Sequence, residues 1–164
     1  MPPTPTPSAT SASGTPQAAI RRATVADLSA LVQLEHATFE HDRLSERQWH
    51  RHLHSDSAVV LAAARGRALA GAAVLFFRSG SRVARLYSIA TAASARGEGI
   101  GTQLLDACER VARRRRCGRL RLEVRQDNLA AQRLYERHGY RRIASVVAYY
   151  EDGADAWRYE KTLA

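Results

Sequence analysis

The sequence has a single lysine, Lys161, among its 25 basic residues, and only two cysteines in 164 residues. A Schiff-base lysine or the lysine of a Walker-type nucleotide loop therefore has almost no candidate position. Cys108 and Cys117 are too few for a disulfide framework, so we expect a reduced, cytoplasmic protein. Charged residues interrupt every hydrophobic run, so no transmembrane helix is available and no membrane partner is expected.

Proline is absent after residue 16, because all five prolines lie between Pro2 and Pro16. Residues 1–17 also contain no charged and no aromatic side chain, so we predict that they form a disordered tail. This stretch has neither the basic segment nor the apolar segment of a secretory signal, which again favours the cytoplasm. Residues 18–164 are long enough to bury the core of one domain.

The charge is one-sided, with 16 acidic residues against 25 basic ones and a formal net charge of +9. Such an excess favours an anionic ligand or partner without identifying it. Arginines 113–116 form a run of four that could contact nucleic acid. The solvated end of a helix is the favoured interpretation, because cations complement the helix dipole there and no aromatic residues are interleaved. Nucleic acid is therefore not expected as a partner.

Three histidines, His50, His52 and His54, lie within a segment that is rich in histidine from residue 36 to residue 54. The first and third would share a helical face, but no cysteine or clear carboxylate set accompanies them, so no metal is expected. Cys108 lies on the apolar stripe of its predicted helix and is expected in the core. Cys117 lies near the end of that helix and is a candidate for exposure.

Hydrophobic periodicity predicts one mixed α/β domain of about seven strands. The predicted strands cover residues 18–23, 58–64, 69–77, 83–90, 120–124, 140–150 and 156–163. The predicted helices cover residues 24–36, 46–54, 99–116 and 128–139, with Thr24, Ser45 and Asn128 as N-caps. The last two strands are expected to pair as a hairpin around Asp152 and Gly153.

A glycine-rich turn, residues 96–102, lies between a predicted strand and the strongest predicted helix. Alternating glycines remove side chains, so that backbone N–H groups can converge on a phosphate at the positive end of the helix. A Walker loop would need a lysine at position 102, and a dinucleotide-binding fingerprint would need a glycine there; Thr102 is neither. A flexible loop before a glycine-rich helix start is the remaining alternative.

Arg96, Gly99 and Gly101 match the pyrophosphate loop of the GNAT superfamily of acyl-CoA-dependent N-acetyltransferases, which this sequence resembles. Further similarity to the RimI type, which acetylates the N-terminal amine of a ribosomal protein, lies in residues 122–125, Asn128, 134–136 and 139–140. The resemblance begins near residue 19. It implies a mixed, mostly antiparallel sheet with about four flanking helices, and acetyl-CoA as cosubstrate.

The resemblance also implies which residues hold acetyl-CoA. The backbone of a splayed strand would bind the pantetheine arm, and one of its N–H groups would polarise the thioester. The turn would hold the pyrophosphate, and Asn128 would contact the arm while capping its helix. The full implied set is Ile89, Ala90, Thr91, Arg96, Gly97, Glu98, Gly99, Ile100, Gly101, Thr102 and Asn128.

Glu123 and Tyr135 are the candidate catalytic residues. Strand alternation alone is typical of an exposed Glu123 that pairs with Arg121 or Arg125. Tyr135 could equally be a core aromatic residue on its helix. The resemblance to the RimI type implies instead that Glu123 accepts the proton of the amine and that Tyr135 protonates the departing thiolate. Tyr149 and Tyr150 near the last turn would either close over the acceptor or pack across strands.

The function favoured by the sequence is transfer of acetyl from acetyl-CoA to a primary amine by direct attack in a ternary complex. A protein N-terminal α-amine, as in the RimI type, is the expected acceptor, with a ribosomal protein as one candidate. A small-molecule amine is the alternative within enzymes. A non-catalytic acyl-CoA-binding or nucleic-acid-binding module is the alternative outside them. The oligomeric state is left open by the sequence.

Overall fold

The computed structural model of the chain describes residues 18–163, so the predicted tail of residues 1–17 lies outside the described residues. Seven strands and four α-helices follow one another along this part of the chain. They are β1 (Ala19–Arg22), α1 (Leu28–Thr38), α2 (Glu46–His54), β2 (Ala58–Arg65), β3 (Ala68–Phe76), β4 (Val83–Thr91), α3 (Ile100–Arg114), β5 (Arg119–Arg125), α4 (Leu129–Arg137), β6 (Arg141–Val146) and β7 (Ala156–Thr162). Short 3-10 turns precede α1 and follow β4.

The strands form one sheet in the order β1-β2-β3-β4-β5-β7-β6. Within the described residues, β4 and β5 are the only parallel neighbours, and every other pair is antiparallel. This confirms the predicted mixed, mostly antiparallel sheet of seven strands with four helices. The parallel pair lies in the middle of the sheet, where α3 supplies the crossover that parallel strands require.

Helices cover both faces of the sheet and divide the core in two. On one face α3 buries its apolar stripe, and Leu104, Leu105 and Leu120 there have no exposed surface. On the other face α1 and α2 pack Leu31 and Trp49 against β2 and β3. Each large side chain removed from water in this way contributes about 1.5–3 kcal/mol of stability. No helix within residues 18–163 has the length and apolar character needed to cross a bilayer.

Local capping signals place the helix starts. The Ser45 hydroxyl accepts a hydrogen bond from the Gln48 amide at 3.2 Å, and the Asn128 side chain accepts one from the Ala131 amide at 3.2 Å. Both residues therefore satisfy amides that the first helical turn leaves without partners, as predicted. At the first predicted helix, a 3-10 turn precedes the α-helix, which begins at Leu28.

Two expectations about the chain are wrong. Cys117 is buried rather than exposed, because the turn after α3 folds its side chain against the core. The strand that was expected to reach residue 150 ends at Val146. There the Asp155 carboxylate accepts a hydrogen bond from the Ala148 amide at 2.8 Å, and Ala148 has a positive φ of 51°. Residues 147–155 therefore form a loop between β6 and β7, called here the tyrosine loop.

Candidate active site

The two parallel strands separate halfway along their length. Pairing of β4 with β5 runs from Val83 opposite Arg119 to Leu86 opposite Leu122 and then stops. Beyond that point β4 stays paired with β3, and β5 stays paired with β7. A wedge-shaped gap therefore opens between the last residues of β4 and those of β5. The backbone edge of β4 that faces this gap has no strand beside it among the described residues.

Tyr87 is the extra residue of a β-bulge in β4. Ser88 pairs with Val74, whereas Leu86 pairs with the next residue of β3, so one residue of β4 is left without a partner. A bulge of one residue reverses the side to which later side chains point. Ile89 consequently packs against the core beneath α3, while Ala90 packs against the core beneath α1. The structure thus places Ile89, Ala90 and their neighbour Thr91 at the gap.

The glycine-rich turn lies where β4 leads into α3. Gly97 and Gly99 have φ values of 79° and 80°, and a Cβ built on either would meet no atom within 4 Å. The first hydrogen bond within α3 joins the Gln103 amide to the Gly99 carbonyl at 3.0 Å. The amides of Gly99, Ile100, Gly101 and Thr102 therefore have no partner inside the helix and point away from its start. An open turn with four such amides fits a diphosphate.

Charges around the turn also suit an anion. Glu98, the one carboxylate in the turn, is paired with Arg65, whose Nη2 lies 2.6 Å from Glu98 Oε2. The pair neutralises a negative charge that would otherwise repel a phosphate. Arg96 is exposed beside the turn and has no carboxylate within salt-bridge distance in the described part of the chain. Its guanidinium is available to a ligand.

A close contact fixes the start of α3 against the sheet. A Cβ on Gly71 would lie 2.6 Å from the Ala90 carbonyl oxygen and 2.9 Å from Ile100 Cγ2. Only glycine permits this approach of β3 to β4 and α3. The end of β4, the glycine-rich turn and the first turn of α3 are therefore held as one unit.

Gly99→Glu tests the turn as a phosphate cradle. The new carboxylate would stand at the helix start and repel a diphosphate, so we expect affinity for acetyl-CoA to fall at least tenfold, about 1.4 kcal/mol. Isothermal calorimetry measures this directly. Gly80→Glu is the matched control, because Gly80 has the same open surroundings and a φ of 78° but lies in the β3–β4 turn. Equal affinity of the two variants would contradict the assignment.

Glu123 lies on β5 just past the point of separation. Its side chain is only 5% exposed, and its two oxygens are held by two arginines. Arg158 on β7 donates from Nε to Oε1 at 3.0 Å, and Arg85 on β4 places Nη2 3.3 Å from Oε2. The expected pairing with Arg121 or Arg125 is wrong, because those arginines pair with Glu160 and Asp152. Glu123 is a buried, oriented carboxylate rather than an exposed strand residue.

Arg85 joins Glu123 to the tyrosine loop. Its guanidinium also donates a hydrogen bond to the Tyr149 hydroxyl. Burial raises the pKa of the Tyr149 phenol, and the negative charge of Glu123 adds to the rise. The phenol therefore stays protonated and can donate a hydrogen bond in turn. Sequence reasoning missed Arg85 because it lies 38 positions before Glu123 and no motif connects them.

Two loops meet on this face of the sheet. The Glu151 amide of the tyrosine loop donates to the Asp42 carboxylate in the α1–α2 loop, 3.1 Å from Oδ1. The α1–α2 loop is itself tied down by buried Glu35, whose carboxylate accepts from the Leu44 amide at 2.8 Å. Burial raises the pKa of Glu35. The two loops thus border the same side of the gap as Glu123.

Tyr135 lies on α4, on the opposite face of the sheet. It is buried, and its ring packs near the rings of Tyr140 and Tyr159, with centroids 5.9 and 6.2 Å away. The position is that of a core aromatic residue. Burial raises the pKa of the Tyr135 phenol well above its usual value. The phenol therefore stays protonated at neutral pH, so it can donate a proton or a hydrogen bond but cannot act as a base.

Tyr135→Phe tests this donor. We expect kcat to fall about tenfold, less than the roughly 10²-fold or more that is typical of general acid catalysis, because a thiolate is itself a stable leaving group. The loss is expected to persist at high pH, since the variant lacks an acid. Tyr140→Phe is the control, because it removes a neighbouring buried hydroxyl that has no hydrogen-bond partner among the described residues. Steady-state rates between pH 6 and 9 distinguish the two variants; equal rates would make Tyr135 purely structural.

The histidine-rich segment brings no set of metal ligands together among the described residues. His50 and His54 share a face of α2, with ring centroids 4.4 Å apart. Among residues 18–163 no three histidine, cysteine or acidic side chains come together as metal ligands would. The Cys108 thiol offers no nucleophile either, because burial raises its pKa to about 12.

Comparisons with known proteins agree with this geometry. The model of the acetyltransferase (GNAT) family matches residues 26–140. An N-alpha-acetyltransferase 30 of Schizosaccharomyces pombe is 42% identical over 64 residues, which are 39% of this chain and 43% of that protein. The match spans less than half the length of each of the curated relatives.

Solved structures extend the similarity to most of the chain. A ribosomal-protein-alanine N-acetyltransferase from Brucella melitensis is 26% identical, with a TM-score of 0.75, and covers 88% of this chain and 99% of its own. The ribosomal-protein-S18-alanine N-acetyltransferase from Escherichia coli has a TM-score of 0.79 at 24% identity, covering 89% of this chain and 94% of its own. The likeness to the Escherichia coli protein, at this lower identity, shows that the two chains share a fold.

Proposed function

This chain belongs to the acetyltransferase (GNAT) family, and we propose that it transfers an acetyl group from acetyl-CoA to the α-amine of a protein N-terminus. The observation that carries the proposal is the buried carboxylate of Glu123 at the separation of β4 and β5. It lies at the gap where the pantetheine arm would run and on the face bordered by the two loops. In this proposal Glu123 is the base, between the slot for the cosubstrate and the surface for the acceptor.

The choice of a protein acceptor is supported by the relatives. An N-alpha-acetyltransferase matches 64 residues of this chain, and a ribosomal-protein-alanine N-acetyltransferase covers 88% of it. In this chain the α1–α2 loop and the tyrosine loop are joined by a backbone amide, from Glu151 to Asp42. A carboxylate at such a border attracts the positive charge of any acceptor ammonium, so this feature supports an amine acceptor of either class.

The residues of this chain would bind the cosubstrate in two places. The amides of Gly99, Ile100, Gly101 and Thr102 would bind the diphosphate, and the free edge of β4 at Ile89, Ala90 and Thr91 would bind the pantetheine amides. Arg96 would add a positive charge beside the diphosphate, and Asn128 and the backbone of Gly97 and Glu98 complete the proposed set. Acetyl-CoA supplies an activated thioester, which the protein orients rather than forms.

Proton movements fall to the two candidate catalytic residues. A carboxylate offers about four lone-pair sites, and two arginines occupy one site on each oxygen of Glu123. Each oxygen can therefore still accept a hydrogen bond from a water that contacts the ammonium of the acceptor. Through this water Glu123 would take one proton from the ammonium, and the resulting neutral amine is free for direct attack. The protonated phenol of Tyr135 would supply a proton to the sulfur that leaves.

A peptide-library acetylation assay with mass-spectrometric readout tests the acceptor class. Peptides with free N-termini and no lysine, N-terminally blocked peptides with one lysine, and small polyamines would be supplied in parallel. We expect acetylation of free N-termini with kcat/KM at least tenfold above the other two sets. Preference for the polyamines would identify a small-molecule enzyme, and binding of acetyl-CoA without any turnover would identify a non-catalytic module.

A further inference from the structure

A second concave site lies at the far end of α3 from the glycine-rich turn. It is a cavity of about 310 Å³ between β1, β2 and the last two turns of α3. Its floor is apolar and is made by Ile20, Val59, Leu61 and Val111. Its rim carries Arg22, Arg110, Arg114 and Arg115. The residues of α3 that line the cavity are on average about ten positions after the helix start, so the cavity lies about 15 Å from the cradle.

Apart from Arg21, which pairs with Asp27, the arginines that line this cavity have no carboxylate partner among the described residues. Arg22, Arg110 and the run 113–116 are all exposed. None of them has a carboxylate within 4.0 Å in the part of the chain that the structure describes, whereas Arg21, Arg65, Arg119 and Arg121 all do. Four of these unpaired positive charges, Arg22, Arg110, Arg114 and Arg115, therefore line one apolar depression, and Arg113 and Arg116 lie next to them in the sequence.

The favourable interaction of cations with the C-terminal end of a helix does not account for the arginines around this cavity. The dipole extends over the last turn of a helix only. Arg110 lies a full turn earlier on α3, and Arg22 belongs to β1, at the opposite side of the cavity. The two residues are 88 positions apart in the sequence, so only the fold brings them to one rim.

One arginine of the rim is already fixed in position. The Arg115 guanidinium lies 4.4 Å from the centre of the Phe77 ring, and its Nη1 donates to the Asp56 carbonyl at 2.8 Å. Arg115 is therefore held over an aromatic ring, and the residue remains exposed to solvent. No aromatic residue is interleaved with residues 113–116 in the sequence, but the fold brings the ring of Phe77 next to Arg115.

We propose that this cavity and its rim, called here the arginine pocket, bind single-stranded nucleic acid. Phosphates would contact Arg110 and Arg114, and an unstacked base would enter the apolar depression beside the planar Arg115. Charged grooves with flat stacking groups are how proteins hold single strands. A duplex keeps its bases stacked and cannot fill the depression, and an acidic peptide supplies no base to stack on Arg115. The proposal is independent of the acetylation reaction.

Fluorescence anisotropy with a labelled 12-nucleotide oligo(U) RNA and the matching DNA tests the proposal. The wild-type chain is compared with the double variant Arg110→Gln/Arg114→Gln, which removes two charges without reversing them. We expect affinity to fall at least tenfold at low salt. The slope of log affinity against log salt should become shallower by about 1.4, since each phosphate contact on a single strand contributes about 0.7. Binding of either sugar type supports the proposal.

The matched control is Arg137→Gln/Arg141→Gln. These arginines are equally exposed and have no carboxylate within 4.0 Å among residues 18–163, but they lie on α4 and β6. Equal weakening by both double variants would show a general charge attraction and overturn the proposal, as would equal affinity for poly-glutamate or for duplex RNA. Acetylation of a free peptide should be unchanged in all these variants. Absence of acetylation already in the wild-type chain would contradict the proposed function and not the arginine pocket.

Discussion

Replacing Glu123 by glutamine is expected to lower kcat about 10²-fold at pH 7 while leaving acetyl-CoA affinity unchanged. The amide keeps the shape of the carboxyl but cannot take a proton from the acceptor. An α-amine has a pKa near 8, so most of it is protonated at pH 7 and requires a base. As the pH rises above 8, free amine forms without help, and part of the lost activity should return. Steady-state rates on an N-terminal peptide between pH 6 and 9 measure this recovery.

A neighbouring carboxylate provides the control for Glu123. Glu160 on β7 also joins two arginines, with Arg121 at 2.6 Å and Arg119 at 3.5 Å. It lies where β5 and β7 are paired and not at the gap. Glu160→Gln therefore breaks a similar ion-pair network without removing a base from the site. If Glu123→Gln were as active as the parent across the pH range, Glu123 would be a structural anchor for Arg85 and Arg158.

Local signals in the sequence were sufficient for most elements of the fold. Ser45 and Asn128 identify helix starts because each side chain accepts a hydrogen bond from the amide three residues later. The glycine-rich turn is equally local, since Gly97 and Gly99 adopt the positive φ that alternating glycines permit. Such features depend on a few consecutive residues and are visible before any tertiary contact is known.

The surroundings of Glu123 could not be predicted in the same way. Alternation in β5 gives the side of the sheet to which its side chain points, but not what covers it. Its partners are Arg85 and Arg158, which are 38 and 35 positions away. The bulge at Tyr87 changes the side of the sheet to which the later side chains of β4 point, and no local sequence pattern predicts it. Burial, ion pairing and register all depend on the sheet as a whole.

The arginine run shows the same limit for a surface. In the sequence, residues 113–116 stand alone and are explained by a helix end. The fold adds Arg22 from β1, Arg110 from the preceding turn and the ring of Phe77. A sequence pattern therefore reveals charge density, whereas the concave shape that turns charge into a binding site comes from distant strands.

Lys161→Met is expected to destabilise the protein by about 3 kcal/mol, the largest stability effect that we predict for a surface-accessible residue. Lys161 forms an ion pair with Glu109, whose side chain is only 4% exposed, on the core side of α3. Its ammonium also lies 5.6 Å from the centre of the Tyr140 ring. Methionine preserves the apolar stem but leaves the Glu109 carboxylate buried without a counter-charge. Urea unfolding at pH 7 measures the loss as a lower midpoint with an unchanged slope.

Two further variants separate charge from packing. Glu109→Gln in the Lys161→Met background removes the uncompensated carboxylate, so it should recover at least half of the lost stability. Arg119→Met breaks an ion pair in which the arginine is 57% exposed, and such pairs contribute about 0–1 kcal/mol. If Lys161→Met cost no more than Arg119→Met, the only lysine of the chain would be an ordinary surface residue, and Glu109 would be stabilised by water rather than by its partner.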